Sequence, residues 1–416
     1  MPYEAEWIIK KIRERGFEAF AVDEWYSMEK SFEAFAVGGC VRDTLLGRTP
    51  GDWDITTSAK PEEVKEIFGK TVDTGLQHGT VTIIKNRRGY EVTTYRIDGE
   101  YRDGRHPDSV EFTSSLLEDL KRRDFTINAM AYSHETGIVD AFDGMGDLEK
   151  KVIRCVGCPR DRFTEDALRI LRAIRFAAQL GFSIEGETYG AIREIAPNLK
   201  NVSKERIQVE LTKLLTSAHP EKIAMVEDTG ISPYVTGDFP LVFQAERERM
   251  AGAASGPEPF SCLALLPPEK SMRWAGFLRH MEPDMVRRIL KGLKLDNETV
   301  DNGKAMAGAA QAPLGPEKAG IRRFLSRMTP YQFDGCLRLK ALDKDPQTEE
   351  IRRLWEEIER DGDCVSLKEL AVGGGDLLAA GMEGKEIGET LRRLLELVLE
   401  DPSLNRRELL LEKLRG

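Results

Sequence analysis

At 416 residues, 41% hydrophobic and 32% charged, the chain is too long for one compact core and implies two to four globular domains, with no apolar run long enough to span a membrane. A net charge of −10 excludes a uniformly basic nucleic-acid binder and shifts attention to local charge. The first ten residues lack a basic stretch followed by an apolar one, and six cysteines are scattered, so the chain reads as cytoplasmic with free thiols; Cys155-Val156-Gly157-Cys158 has no second pair to complete a zinc site.

Residues 34–142 read as mixed α/β. Phe35 to Val37 is a short strand, Arg42 to Leu46 opens a helix, and Pro61 to Phe68 is an amphipathic helix with proline in its first turn. The β-branched runs Gly79 to Ile84 and Tyr90 to Tyr95 flank Arg87-Arg88-Gly89 and predict a hairpin. Ile97 to Val110 is polar, holds Gly99, Gly104 and Pro107, and reads as a mobile loop. Beyond Thr164 strand signals nearly vanish and helical periodicity covers 164–180, 204–216, 220–229, 284–293, 299–310, 316–327, 331–342, 347–360 and 384–400. The expected class is α+β: a small mixed α/β head (1–150), then an elongated all-α remainder of neck (151–218), body (219–310) and tail (311–416). Phe17 to Val22 repeats as Phe32 to Val37, which is best read as a short tandem duplication.

The densest chemical signal is Gly38-Gly39-Cys40-Val41-Arg42-Asp43 followed by Asp52-Trp53-Asp54. Glycines let backbone N–H groups approach a phosphate closely. Carboxylates at i and i+2 of an extended segment face one point, here with Trp53 facing the core. Hard oxygen ligands meeting beside phosphates suit Mg²⁺. A lone Gly-Gly is a turn and a lone Asp-x-Asp a solvated loop; together, with Arg42 between them, they favour a nucleotide site. Glu91 is either a third acid or a solvated strand residue. In Arg122-Arg123-Asp124, Asp124 suits a helix cap and Arg123 an anion ligand.

Between Lys150 and Arg175 there are eight basic residues against three acids. Asp166 and Arg169, then Arg172 and Arg175, recur in steps of three along a predicted helix ridge. The bland reading is an intrahelical salt bridge. The functional reading is base recognition: an acceptor beside a donor matches the amino group and ring nitrogen of cytosine and adenine, and leaves uracil and guanine mispaired.

Gly38-Gly39-x-Val41-Arg42-Asp43-x-Leu45-Leu46-Gly47, Asp52-x-Asp54, Arg122-Arg123-Asp124-Phe125-Thr126-Ile127-Asn128-Ala129, Glu165-Asp166-x-x-Arg169-x-x-Arg172 and Ser203-Lys204-Glu205-Arg206 together resemble the class II tRNA nucleotidyltransferases, a family of CCA-adding enzymes and bacterial poly(A) polymerases, in the type without an HD domain. The resemblance runs over nearly the whole chain. It implies that Asp52 and Asp54 bind Mg²⁺, that Gly38, Gly39, Arg42 and Arg123 hold a triphosphate, that Asp166 and Arg169 read the base with Arg172 and Arg175 in support, and that Glu91 is a further catalytic candidate. It implies CTP and ATP as substrates, tRNA as partner held by the helical tail, no membrane, and a homodimer as an open option. The 96–107 loop looks complete, with His106 departing from an arginine common there. Residues 385–416 balance seven basic against seven acidic residues, unlike a poly(A) polymerase tail, so template-independent CCA addition leads. Poly(A) or A-only addition is the alternative. A non-catalytic tRNA-binding protein is disfavoured because both metal carboxylates are present.

Overall fold

A computed structural model describes residues 1–15, 32–99, 110–251 and 258–414. The chain forms two compact units, Met1–Val235 and Thr236–Gly416. Among the described residues no helix is long and apolar enough to cross a membrane. The first copy of the duplicated hexapeptide and most of the polar loop, His106 included, lie outside the described residues.

In chain order the first unit begins with α1 (Tyr3–Arg15), β1 (Ala34–Val37), α2 (Gly39–Leu45), β2 (Ile55–Thr57), α3 (Pro61–Ile67), β3 (Thr71–Gly75), β4 (Thr80–Lys85) and β5 (Arg88–Thr94). It continues with β6 (Arg96–Asp98), β7 (Val110–Phe112), α4 (Leu116–Lys121), β8 (Met130–Ser133), β9 (Gly137–Asp140), α5 (Gly144–Lys150) and β10 (Val152–Ile153). Then follow α6 (Pro159–Glu165), α7 (Leu168–Leu180), β11 (Ser183–Ile184), α8 (Gly186–Ile195) and α9 (Lys204–Leu215). Seven strands form one mixed sheet in the order β3-β4-β5-β2-β1-β8-β9. Within this sheet, among the described residues, β2 and β5 are the one parallel pair, with Ile55 opposite Val92.

Local chemistry explains these elements. The β4–β5 hairpin turns on Asn86 and Arg87, both at positive φ (52° and 63°), the two-residue turn whose twist matches the flanking strands. Pro61 opens α3 and the Glu63 carboxylate accepts from the Lys60 N–H at 2.6 Å. The polar segment 97–110 is not wholly loop: β6 and β7 pair at its ends, Arg96 opposite Phe112. The ridge predicted over 164–180 is two helices, because α6 ends at Glu165 and Asp166 is extended (φ −142°, ψ 102°). α7 is the core helix of this region, burying Ile170, Leu171, Ile174, Phe176 and Ala177, and stops at the left-handed Gly181.

The second unit is helical throughout its described regular structure. Its helices include Phe239–Met250 and Lys270–Phe277, neither of which is among the helical ranges read from the sequence. These pack through Phe239, Phe243, Phe260, Trp274 and Phe277, ring against ring. Separate apolar cores join Ile321, Phe333 and Ile351, and Leu377, Leu394 and Val398. The buried Arg322 donates to the Leu399 and Glu400 carbonyls, satisfying the C-terminal end of helix Lys385–Glu400.

Candidate active site

One cavity of about 550 Å³ in the first unit gathers ten of the eleven residues singled out above: Gly38, Gly39, Arg42, Asp52, Asp54, Arg123, Asp166, Arg169, Arg172 and Arg175. Glu91 is not among them. It is exposed on β5 and lines an adjoining cavity of about 210 Å³ that also touches Asp54, Arg122 and Arg123. Asp54 borders both cavities.

The glycine turn joins β1 to α2. Gly38 sits at φ 78°, and a side-chain carbon there would lie 3.1 Å from Arg123 Nη1, so both backbone conformation and space select glycine. Arg42 is buried and already engaged: its Nε donates to Asp43 at 2.8 Å and its Nη1 to Asn128 at 2.6 Å, with Phe176 beneath it at 5.0 Å. It braces α2 against the 3₁₀ turn Thr126–Asn128 while forming part of the cavity wall.

Asp52 and Asp54 precede β2 rather than lying on it, although the Asp54 carbonyl already accepts from the Val37 N–H at 3.0 Å. Their side chains share the cavity, and Trp53 faces a separate apolar pocket with Val41, Tyr132 and Ile138. Trp53 is half-buried, not a core residue, because this pocket opens to the surface. Burial, then the negative charges of Asp52 and Glu91, push the Asp54 carboxyl up to about 6 against the pull of Arg123. Among the described residues no three His, Cys, Asp or Glu side chains form a ready-made metal cage. A pair of carboxylates meets the smaller protein share that Mg²⁺ takes beside phosphates.

Behind these acids lies a fully buried carboxylate, Asp119. It accepts from Arg122 Nε and Nη2 at 2.9 and 2.7 Å, from Arg123 Nη2 at 3.3 Å and from Thr56 Oγ1 at 3.0 Å. This fixes two adjacent guanidiniums to the strand that follows the acids. The buried Arg123 Nε has no hydrogen-bond partner among the described residues. A buried donor left over beside the glycine turn is the kind of group an anion satisfies.

The wall formed by Asp124 and by residues 166–175, the base end, is densely paired. Asp124 is buried and caps no α-helix, because the apolar run after it forms only the 3₁₀ turn Thr126–Asn128. One oxygen accepts from the Phe125 N–H and Asn128 Nδ2, and the other from Arg172 Nε and Nη2 at 2.8 and 2.6 Å. Burial alone would raise this carboxyl; the Arg172 charge and these hydrogen bonds outweigh it and hold it down at about 2. Arg175 is buried over the Phe176 ring at 3.8 Å, bound to Glu210 at 2.5 Å and Gln179 at 2.8 Å. Asp166 and Arg169 are not an intrahelical pair. Asp166 Oδ1 accepts from the Leu168 N–H at 3.1 Å and Oδ2 from Arg206 Nη2 at 2.7 Å, while Arg169 Nη1 donates to Glu165 at 2.7 Å.

Three family models cover the chain in succession. "Poly A polymerase head domain" matches residues 34–154, "Probable RNA and SrmB- binding site of polymerase A" residues 181–239, and "tRNA nucleotidyltransferase domain 2" residues 267–414. The CCA-adding enzyme of Geobacillus kaustophilus is 37% identical over 388 residues, 91% of each chain, and that of Bacillus velezensis 39% identical over 385 residues. The chain belongs to the CCA-adding enzyme family. A crystal structure of the Bacillus stearothermophilus CCA-adding enzyme in complex with CTP superposes with a TM-score of 0.79 at 32% identity, covering 100% of this chain and 98% of that one.

Within this CCA-adding fold, sequence reasoning left three residues without a role: Arg206 on the cavity wall, and Glu210 and Asp119, which pair with wall residues. Arg206 and Glu210 come from α9, about forty residues from their partners, and no local pattern announces the pairing. Asp119 was detectable: it stands three and four residues before Arg122 and Arg123, the spacing at which side chains meet on a helix such as α4.

Proposed function

We infer that this protein restores the 3′-terminal CCA of tRNA from CTP and ATP, without a nucleic-acid template, releasing pyrophosphate. The observation that carries the reading is a single cavity lined by both a pair of carboxylates and an acidic–basic pair, in a chain of the CCA-adding family. Gly38, Gly39 and Arg123 would hold the triphosphate, the buried Nε of Arg123 finding in it an acceptor. Asp166 would accept from the amino group of cytosine or adenine while Arg169 donates to the neighbouring ring nitrogen. Uracil and guanine present the reverse order and leave both groups mispaired. Arg42, Arg172 and Arg175 would support these groups from the wall.

Asp52 and Asp54 fit a divalent cation, Mg²⁺ by their oxygen-only chemistry, because their crowded negative charge is what such an ion relieves. When bound, it would offset charge on the triphosphate and ease deprotonation of the attacking hydroxyl. The 3′-oxygen of the RNA bonds to the α-phosphorus, the bond to the β-phosphate breaks, and pyrophosphate leaves. Glu91, beside Asp54 in the adjoining cavity, stands on the acid side of this reaction as a further catalytic candidate. The helical tail, residues 311–416, would hold tRNA by shape and backbone, and work on tRNA would place the protein in the cytoplasm.

The test is addition to tRNA ending before CCA, with each labelled nucleotide supplied separately and product length read on a gel. CTP alone is expected to add two residues, ATP one residue to a CC end, and UTP and GTP none. Long A tails, or no addition, would overturn the reading.

A further inference from the structure

The two residues assigned to base reading carry opposite charges, stand three positions apart and share one cavity, yet each is held by a different third residue. Arg169 is engaged by Glu165 at 2.7 Å and by the Arg162 carbonyl at 3.1 Å, on α6. Asp166 stands at the break between α6 and α7, where the backbone is extended. Its Oδ1 accepts from the Leu168 N–H and its Oδ2 from Arg206. Arg206 arrives from the first turn of α9, and both partners are half-buried on the wall of the cavity.

We infer that Arg206 is a positioning residue for base selection: its guanidinium pulls the Asp166 carboxylate away from Arg169 and presents it as a separate acceptor. The inference rests on the reading of Asp166 and Arg169 as base readers. A carboxylate oxygen has two acceptor directions, so Asp166, with one bond on each oxygen, keeps capacity for the amino group of a base. Without Arg206, Oδ2 loses its side-chain partner, and the Arg172 cation, whose charge already reaches Asp166, becomes its strongest attraction, on the same side as Arg169. The carboxylate then turns that way, the separate acceptor disappears, and the cavity no longer distinguishes an amino group from a carbonyl.

The experiment compares kcat/KM for CTP against UTP and for ATP against GTP in Arg206→Ala, Arg206→Gln, Arg206→Lys and Asp166→Ala, with tRNA KM and thermal melting followed in parallel. The expected result is a fall of at least tenfold in both discrimination ratios for Arg206→Ala and Arg206→Gln. Arg206→Lys should recover most of that loss, and tRNA KM should change less than twofold. A merely structural role would lower all four nucleotides together, and that pattern, or ratios within twofold of the parent while Asp166→Ala is relaxed, would overturn the inference. If Arg206→Ala fails to fold, Arg206→Gln and Arg206→Lys decide it. If Asp166→Ala itself keeps full selection, it is the base-reading assignment that fails.

Discussion

The two ends of the cavity handle charge in opposite ways. At the acid end Asp54 is pushed up to about 6 by burial and then by the negative charges of Asp52 and, from the adjoining cavity, Glu91. At the base end every acid has a cation: Asp124 with Arg172, Glu210 with Arg175, Asp166 with Arg206, Glu165 with Arg169. The first arrangement is unfinished without an added positive charge. The second is complete before any ligand arrives, and fixed donors and acceptors of this kind select without reorganising. In the proposed reading, chemistry therefore depends on what joins the acid end, while nucleotide choice is built into the chain.

The largest expected effect breaks the acid end. Asp52→Ala or Asp54→Ala should lower kcat by about 10³-fold or more, with CTP binding retained; near-normal turnover in Mg²⁺ would remove the assignment. Next is the triphosphate side, where Arg123→Ala should raise nucleotide KM by about ten- to a hundredfold through loss of a charge-assisted contact, measured by initial rates with both CTP and ATP.

Stability should separate the ends with opposite signs. Asp124 is held low, so its contribution is present at pH values above the ordinary carboxylate range and is lost only as pH falls towards about 2. Asp124→Asn should destabilise the protein at pH 7 by about 3 kcal/mol, the order for a buried pair with one partner neutralised. Asp54 is held high, so it favours the folded state below the ordinary carboxylate range and loses that favour as pH rises through about 6. In EDTA at pH 7.5, Asp54→Asn should therefore stabilise the protein by about 1–2 kcal/mol, with the gain gone near pH 4. Melting curves at both pH values check this, and destabilisation by Asp54→Asn at pH 7.5 would contradict the picture of an unrelieved acid end.

The acid end was legible in sequence because its signals are local. Gly38-Gly39 marks a positive-φ turn, and Asp52 and Asp54 share one side of an extended chain. The base end was only half legible. Regular arginine spacing suggested one continuous helix and a ridge pairing, and the break at Asp166 removes both. An Asp just before an apolar helix is itself a start signal, and here its carboxylate does bond the Leu168 N–H. The helix Phe239–Met250 was obscured by Pro240, which the first helical turn tolerates. Arg206 stands in the Ser203-Lys204-Glu205-Arg206 motif, but its pairing, like that of Glu210, carries no local sign, because it is set by where α9 packs against α7.

The most direct measurement is equilibrium binding of CTP and UTP to the full chain in EDTA, followed by the same titrations in Mg²⁺. A base end complete in itself predicts at least tenfold preference for CTP over UTP in EDTA, with no nucleotide addition until the divalent ion is supplied. Equal affinity for CTP and UTP in EDTA, with preference appearing only on adding Mg²⁺, would contradict it.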